Sequence, residues 1–394
     1  MKKLLTSIII LCSITTFAQP KLSPLEQEGT NFFKEGNNTN AIASFEKALV
    51  QSPNSLFSIN ALTTLYHNVK EEQKAYDMAD KGIKLSGNAA NFVYAKARAA
   101  TFLNNAKDAL SIIENYSAKN KADYMLLFVK GNAYNQLNDK QQALSAYTQS
   151  ITANPEFFNS YFERGKVFAD LERYPQAIKD FEKCIVLDNS NADAYNYLGL
   201  AYNAANNIDE ALASFNKCLA IYPKQSDALC NRGEIYMKKN QIENAKTDFE
   251  GSITDNPKEV TAYFQYSVLC SRNKEFVKSL SLINKAIEIK PKRSGYFVQK
   301  STCLNGLDRY DEALIAANTA ITLDSKNPEG YIFKAISYYN KDKFIDALNA
   351  VNEGITVDPN YYLFYGIRAS IHRKLNNTTA ANADDEKAKS FGQK

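Results

Sequence analysis

A small residue recurs every 34 positions through most of this 394-residue chain, without an insertion or a deletion between residues 41 and 381. A fixed period of this length is the sequence signature of a repeat architecture, in which one structural unit is copied along the chain. The length therefore predicts about eleven copies of one unit instead of several unrelated domains. The recurring residues are Ala41, Ala75, Ala109, Ala143, Ala177, Ala211, Ala245, Ser279, Ala313, Ala347 and Ala381.

Other positions repeat in the same frame when each unit is counted from Leu22. Small residues fill position 8, aromatic residues recur at positions 11 and 24, and Pro stands at position 32 in six units. Positions 4, 7, 8 and 11 share one face of a first helix, and positions 20, 24 and 27 share one face of a second. Pro at position 32 ends the second helix. One such helical hairpin cannot bury its apolar face alone, so neighbouring units must stack.

These columns resemble the tetratricopeptide repeat family, and the sixth unit carries the pattern most fully in Gly199, Tyr202, Ala211, Phe215 and Pro223. The family's usual Trp at position 4 is missing, since the chain has no Trp; Tyr or Phe replaces it in six units. The resemblance implies an all-α fold, a right-handed superhelical solenoid of about eleven 34-residue helix-turn-helix repeats. It covers residues 22–394, and its repeats start at residues 22, 56, 90, 124, 158, 192, 226, 260, 294, 328 and 362.

The third repeat departs most clearly from these columns. Ala100, Ile113 and Tyr116 stand where the pattern favours an aromatic, an aromatic and a small residue, respectively. We therefore expect a local distortion in this repeat. Repeats 2, 8 and 9 also diverge from the pattern, whereas repeats 4 to 7, over residues 124–259, follow it best.

The N-terminus is predicted to be a cleaved export signal over residues 1–18, followed by a short segment at 19–21. Lys2 and Lys3 precede a short apolar run, and small residues at Thr16 and Ala18 suit cleavage before Gln19. A short membrane anchor and lipoprotein processing at Cys12 are the alternatives. The rest of the chain has no apolar run of transmembrane length. We expect an exported protein of the periplasm, with outer-membrane association or an extracellular location left open.

Five cysteines remain after the predicted cleavage, and an odd number cannot all pair within one chain. Cys184 and Cys218 occupy position 27 of adjacent repeats, and Cys270 occupies position 11. We interpret these residues, with Cys230 and Cys303, as small buried members of the core.

The resemblance places the partner-binding surface on the concave face, which the first helices line. Position 5 holds an aromatic residue in three consecutive repeats and again in the eighth, flanked by amide and basic side chains. Such a strip could anchor the side chains and backbone amides of a peptide. Packing against neighbouring helices is the alternative role of the position 5 rings. The candidate partner-binding residues are Tyr94, Arg98, Met125, Phe128, Asn132, Asn135, Asn159, Phe162, Lys166 and Phe264.

Other functional classes lack sequence support. Without Lys2 and Lys3 the charges nearly balance, which disfavours a nucleic-acid partner. No phosphate loop, metal-ligand spacing or catalytic triad order appears, so we expect no catalytic residue, metal or cofactor. In addition, no run of three consecutive repeats supplies the two-carboxylate clamp that is known in tetratricopeptide repeat proteins.

The carboxylate pairs at 71–72 and 384–385 are interpreted as solvated helix faces. His372 is interpreted as a substitute for a core aromatic, and His67 as a residue that could line the groove.

These observations favour a non-catalytic protein-binding scaffold of the bacterial cell envelope, with a protein or peptide partner and an oligomeric state that the sequence leaves open. An envelope glycan-binding module, or a regulatory subunit of an envelope or secretion complex, is the alternative.

Overall fold

A computed structural model describes residues 22–392 of the chain. Over that range the chain forms 22 α-helices and no β-strand, so the predicted all-α architecture of paired-helix repeats is confirmed. The predicted signal sequence and Cys12 lie outside the described residues. The chain divides into two compact units, and the boundary between Ala205 and Asn206 falls between the two helices of the sixth repeat.

The first unit contains α1 to α11, in which odd-numbered helices are first helices of a repeat and even-numbered helices are second helices. Their bounds, in order, are Pro24–Lys34, Asn38–Gln51, Leu56–Asn68, Glu72–Ser86, Ala90–Phe102, Ala106–Ser117, Tyr124–Gln136, Lys140–Ala153, Phe158–Asp170, Tyr174–Leu187 and Ala192–Ala204.

The second unit contains α12 to α22 and keeps the same alternation. Their bounds, in order, are Ile208–Ile221, Ser226–Lys238, Ile242–Asp255, Val260–Arg272, Phe276–Ile289, Ser294–Gly306, Tyr310–Leu323, Pro328–Asn340, Phe344–Val357, Tyr362–Lys374 and Thr378–Gly392.

The aromatic ring at position 24 packs directly on the small residue at position 8 of the same repeat. A Cβ added to Gly131 would lie 2.5 Å from the Tyr147 ring, and one added to Gly233 would lie 2.8 Å from Phe249. Tyr147 and Phe249 are completely buried. Position 8 is therefore small because the neighbouring ring occupies the space that a side chain would need.

Each turn between the two helices of a repeat contains one residue in the left-handed region. This residue stands at position 15, with φ between +56° and +77°, and is followed by the start of the second helix. Asn, Asp and Gly, which accept this conformation more readily than other residues, fill eight of the eleven positions. The residues are Gly36, Lys70, Asn104, Asn138, Glu172, Asn206, Asn240, Lys274, Asp308, Asp342 and Asn376.

The distortion predicted in the third repeat is found in its second helix. Helix α6 has 12 residues, whereas α8 of the fourth repeat has 14. The segment 118–123, which is not helical, separates α6 from α7.

A buried ion pair recurs between the two helices of three repeats. The guanidinium of Arg164 donates to both carboxylate oxygens of Asp180, at 2.8 and 2.7 Å. Arg232 makes the same pair of bonds with Asp248, and Arg368 with Asp384. The interpretation of Asp384 as a solvated residue is therefore wrong, because this carboxylate is buried against Arg368.

The five cysteines of the described residues are all buried, as predicted for members of the core, and none forms a disulfide. The thiol of Cys184 lies near the carbonyl oxygen of Phe158, and that of Cys303 near the Ser279 hydroxyl. Cys184 thus contacts the first helix of its own repeat, and Cys303 contacts the second helix of the preceding repeat.

Candidate functional site

The first unit has a pocket of about 420 Å³ on the side formed by its first helices. Helices α3 and α5 provide most of the wall, and the beginning of α7 closes one end. Three of the predicted binding residues, Tyr94, Arg98 and Met125, lie in this wall. The full lining is Asn60, Thr63, Thr64, His67, Asn68, Ala75, Ala90, Asn91, Tyr94, Ala95, Arg98, Ala99, Asp123 and Met125.

The guanidinium of Arg98 is held in place by contacts from α3 and α5. Its Nη2 atom donates a hydrogen bond to Nε2 of His67. The guanidinium carbon lies 6.0 Å from the ring centroid of Tyr94 and 5.9 Å from that of Phe102, within the range of cation–π attraction. These contacts fix the position of the charged group while it remains half-buried at the pocket wall.

His67 lies between the guanidinium of Arg98 and the carboxylate of Glu72. Nδ1 of His67 lies 2.9 Å from Oε2 of Glu72, and the imidazole ring meets the ring of Phe102 at a centroid distance of 4.9 Å. Because Nε2 accepts from Arg98, the neutral imidazole carries its proton on Nδ1 and donates it to Glu72. Burial and the nearby Arg98 charge lower the pKa of His67 below its ordinary range, against the opposing influence of Glu72.

The rest of the wall is rich in amides and hydroxyls. Nδ2 of Asn91 donates to Oδ1 of Asn60 at 3.0 Å, which joins α5 to α3 across the pocket wall. Asp123 caps α7 by accepting from the Leu126 amide at 2.9 Å. Burial raises the pKa of Tyr94, so its phenol is neutral at physiological pH. The pocket thus combines one cation, one carboxylate and several neutral hydrogen-bonding groups.

The next predicted residues along the strip are engaged in packing within the fourth repeat. The half-buried ring of Phe128 lies 5.9 Å from Tyr147 and 5.4 Å from Phe157. The amide oxygen of Asn132 accepts from the Tyr147 hydroxyl at 2.7 Å, and that of Asn135 accepts from Lys140. Phe128 therefore contributes to contacts between helices, whether or not it also meets a partner.

Phe162 has the same dual position in the fifth repeat. Its ring lies 5.9 Å from Phe181 and 5.1 Å from Tyr197 of the following first helix. The ammonium of Lys166 lies 5.7 Å from the Phe162 ring and 2.9 Å from a carboxylate oxygen of Glu163. Burial works against the charged form of Lys166, but Glu163 outweighs it and raises the pKa of the lysine.

The two remaining predicted residues lie apart from these contacts. Asn159 is exposed near the beginning of α9. Phe264 belongs to the second unit, where its ring packs 5.2 Å from the buried ring of Tyr296. A smaller depression of about 130 Å³ in that unit is lined by Phe297, Lys300 and residues of α18.

Glu72 and His67 correct the sequence-based interpretation of this region. Glu72 is not part of a solvated face: its side chain is 12% exposed, and that of His67 is 16% exposed. Sequence reasoning placed His67 near the groove but missed its bonds to Glu72 and Arg98. The five-residue spacing of His67 and Glu72 across a helix–helix turn was the available signal, because residues on either side of so short a turn must lie close together.

The described residues show neither a metal-binding cluster nor a membrane-spanning helix. Between residues 22 and 392, no group of three or more His, Cys, Asp or Glu side chains is arranged to hold a metal ion. No described helix combines the length and apolar character that crossing a membrane requires.

Models of tetratricopeptide repeats match the chain in its central part. One matches residues 126–157, 192–225 and 226–258, and a second matches residues 165–204. A tetratricopeptide repeat protein from Parabacteroides merdae is similar in structure, at 16% identity and a TM-score of 0.50, over 63% of this chain and 98% of that one. Yeast Tom70 is similar at 17% identity and a TM-score of 0.45, over 93% of this chain and 91% of that one. No protein with a curated description matches in sequence.

Proposed function

Because this chain belongs to the tetratricopeptide repeat family, whose fold is typical of protein–protein interaction modules, we propose that it is a non-catalytic binding scaffold of the bacterial cell envelope. Its partner is a peptide or an extended segment of a protein, which binds in the pocket between α3, α5 and α7. The side chains at this pocket position a partner and perform no chemistry on it.

The observation that carries the proposal is the composition and shape of the pocket. The pocket has a volume of about 420 Å³, and its wall offers hydrogen-bonding groups from Asn60, Asn91 and Thr64. Peptide grooves pair neutral amides with the partner's backbone and use aromatic or charged groups as anchors. Tyr94 and Arg98 supply such anchors here, and both are fixed by their neighbours before a ligand arrives.

The envelope location rests on the N-terminal sequence. The basic Lys2 and Lys3, the short apolar run and the small residues before Gln19 together favour export followed by cleavage. The balance of 45 basic and 43 acidic residues that remains suits a protein that meets other proteins instead of nucleic acid.

Site-specific photocrosslinking in cells tests the pocket. A benzoylphenylalanine at Met125, which lines the pocket, should form a covalent adduct with one partner protein of the envelope. The same group at Val186, a 76% exposed residue on the second helix of the fifth repeat, is the matched control and should give no such adduct. Equal adducts at both sites, or none at Met125, would contradict the proposed binding surface.

Cell fractionation tests the location separately. The mature protein should be recovered in the periplasmic fraction with Gln19 as its N-terminal residue. A cytoplasmic protein that keeps Met1 or Lys2 would overturn the envelope assignment without affecting the assignment of the pocket.

A further inference from the structure

We propose that the pocket binds a carboxylate of its partner peptide on the guanidinium of Arg98. This inference rests on the proposed function and names the chemical group that the site recognises. It depends on the surroundings of Arg98, which differ from those of every other half-buried arginine in the described part of the chain.

Four arginines between residues 22 and 392 are half-buried: Arg98, Arg164, Arg232 and Arg368. The last three each form two hydrogen bonds with a buried aspartate of their own repeat. Arg98 has no carboxylate within ion-pairing distance among the described residues, and its hydrogen-bond partner is the neutral imidazole of His67. A guanidinium has five N–H donors, so most of the hydrogen-bonding capacity of Arg98 remains for a ligand.

The arginine is also organised for that role. The rings of Tyr94 and Phe102 flank its guanidinium, and Glu72 holds the imidazole that orients it. A planar guanidinium that is already fixed matches the two oxygens of a carboxylate and loses little side-chain entropy on binding. The neighbours of Arg98 therefore hold its guanidinium in place before a ligand binds.

The other charged residues of the pocket wall limit the kinds of anion that can bind. Asp123 also lines the pocket, and no Lys side chain does. A wall with one cation and one carboxylate favours a single carboxylate over a phosphate or a cluster of acidic residues, because Asp123 repels an anion more strongly as its charge increases. This arrangement also differs from a clamp built from Lys and Asn side chains of three repeats.

A carboxylate of a peptide comes either from an Asp or Glu side chain or from the C-terminus, and two displayed libraries distinguish these sources. Random heptapeptides with free C-termini and random heptapeptides fused at both ends are selected on the full mature chain. The proposal expects enrichment either of the free-terminus library or of an Asp or Glu at one position of the fused library.

Synthetic peptides from the selection then test the contact, first by changes to the carboxylate of the peptide and then by substitutions of Arg98. Changing the Glu or Asp to its amide, or amidating the C-terminus, should weaken binding to the wild-type chain at least tenfold. Arg98→Gln should weaken binding of the unmodified peptide by a similar factor, and Arg98→Lys should restore it only in part. Arg173→Gln is the matched control, because it removes one exposed charge of the same unit outside the pocket, and it should change affinity less than twofold.

The outcomes separate this inference from the proposed function. Peptides that bind without a carboxylate, and that bind Arg98→Gln within twofold of wild type, would overturn the inference and leave peptide binding intact. Failure of both libraries to give any binder would also overturn it, whereas an adduct at Met125 in cells would still support the scaffold function. The amide peptides are measured on the wild-type chain. They therefore test the inference even if a substitution at Arg98 destabilises the fold.

Discussion

Nε2 of His67 accepts a hydrogen bond from the guanidinium of Arg98, while Glu72 lies 2.9 Å from the other ring nitrogen. The imidazole is therefore a neutral spacer between a cation and a carboxylate. This arrangement links two adjacent first helices, α3 and α5, at the wall of the candidate pocket. Protonation of the imidazole would place a second cation against Arg98 and remove the acceptor that orients it.

The first prediction concerns the pKa of His67. Burial and Arg98 hold this pKa below the ordinary value of 6.5, so Arg98→Gln should raise it and Glu72→Gln should lower it further. Carbon-detected NMR of labelled histidine measures both shifts, because the chain has only two histidines and His372→Gln identifies the remaining signal. A pKa above 6.5 in the wild-type chain would contradict the arrangement.

The same group gives stability a pH dependence of defined sign. Because its folded pKa lies below the unfolded value, the unfolded chain binds more protons as the pH falls below about 6.5. The contribution of His67 to the free energy of unfolding is therefore fully present above that pH and is lost on acidification. The decrease in melting temperature between pH 7.5 and 5.5 should be smaller in His67→Gln than in wild type, with His372→Gln as the control. Equal decreases in wild type and His67→Gln would contradict the linkage.

The second prediction concerns the close contact between position 8 and position 24. In Gly131→Ala the new methyl group would lie 2.5 Å from the Tyr147 ring, and such overpacking costs about 1–3 kcal/mol. Gly366 is the matched control, since it also lies inside a helix but has no neighbour within 4 Å. Gly366→Ala should stabilise the chain by roughly 0.5–1 kcal/mol. Denaturant unfolding measures both, and destabilisation of similar size in the two variants would refute the packing explanation.

The third prediction concerns the buried pair of Arg164 and Asp180. Asp180→Asn leaves a half-buried guanidinium without its carboxylate, which should reduce the free energy of unfolding by about 3 kcal/mol. Glu312→Gln removes the exposed carboxylate that pairs with Arg309 and should reduce the free energy of unfolding far less, because water screens this pair. If the two losses prove equal, burial does not govern the energetics of these pairs.

The fourth prediction concerns the reactivity of the cysteines. Burial raises the pKa of Cys184 and of Cys270 to about 12, so almost no thiolate is present near neutral pH. Neither thiol should react with Ellman's reagent at pH 8 in the folded protein, and all five thiols within residues 22–392 should react after denaturation. Rapid labelling of Cys184 in the folded state would show that its repeat opens far more readily than the packing indicates.

Much of the helical architecture could be predicted because a 34-residue period fixes which side chains share a face. The left-handed turn at position 15 was missed, although Asn104, Asn138 and Asn240 recur there and favour that conformation. Lys70 and Glu172 obscured the pattern, since neither residue type indicates a positive φ.

The candidate site was less accessible to sequence reasoning. The repeat positions of Tyr94, Arg98 and Met125 predicted that they share one surface of the first helices, and all three line the pocket. The hydrogen bond between His67 and Arg98 could not be predicted from the sequence. It joins residues 31 apart and depends on the direction of two side chains on neighbouring helices. Glu72 looked like a surface residue because its burial depends on the turn that brings it back against His67.

The central claim is that a partner occupies the pocket between α3, α5 and α7. Hydrogen–deuterium exchange on the chain, with and without the partner crosslinked through Met125, tests it most directly. The account predicts that the partner slows exchange of backbone amides in residues 60–68, 91–98 and 123–128, and leaves the second helices α2 and α10 unchanged. Unchanged exchange in those three segments, with protection confined to the second unit, would contradict it.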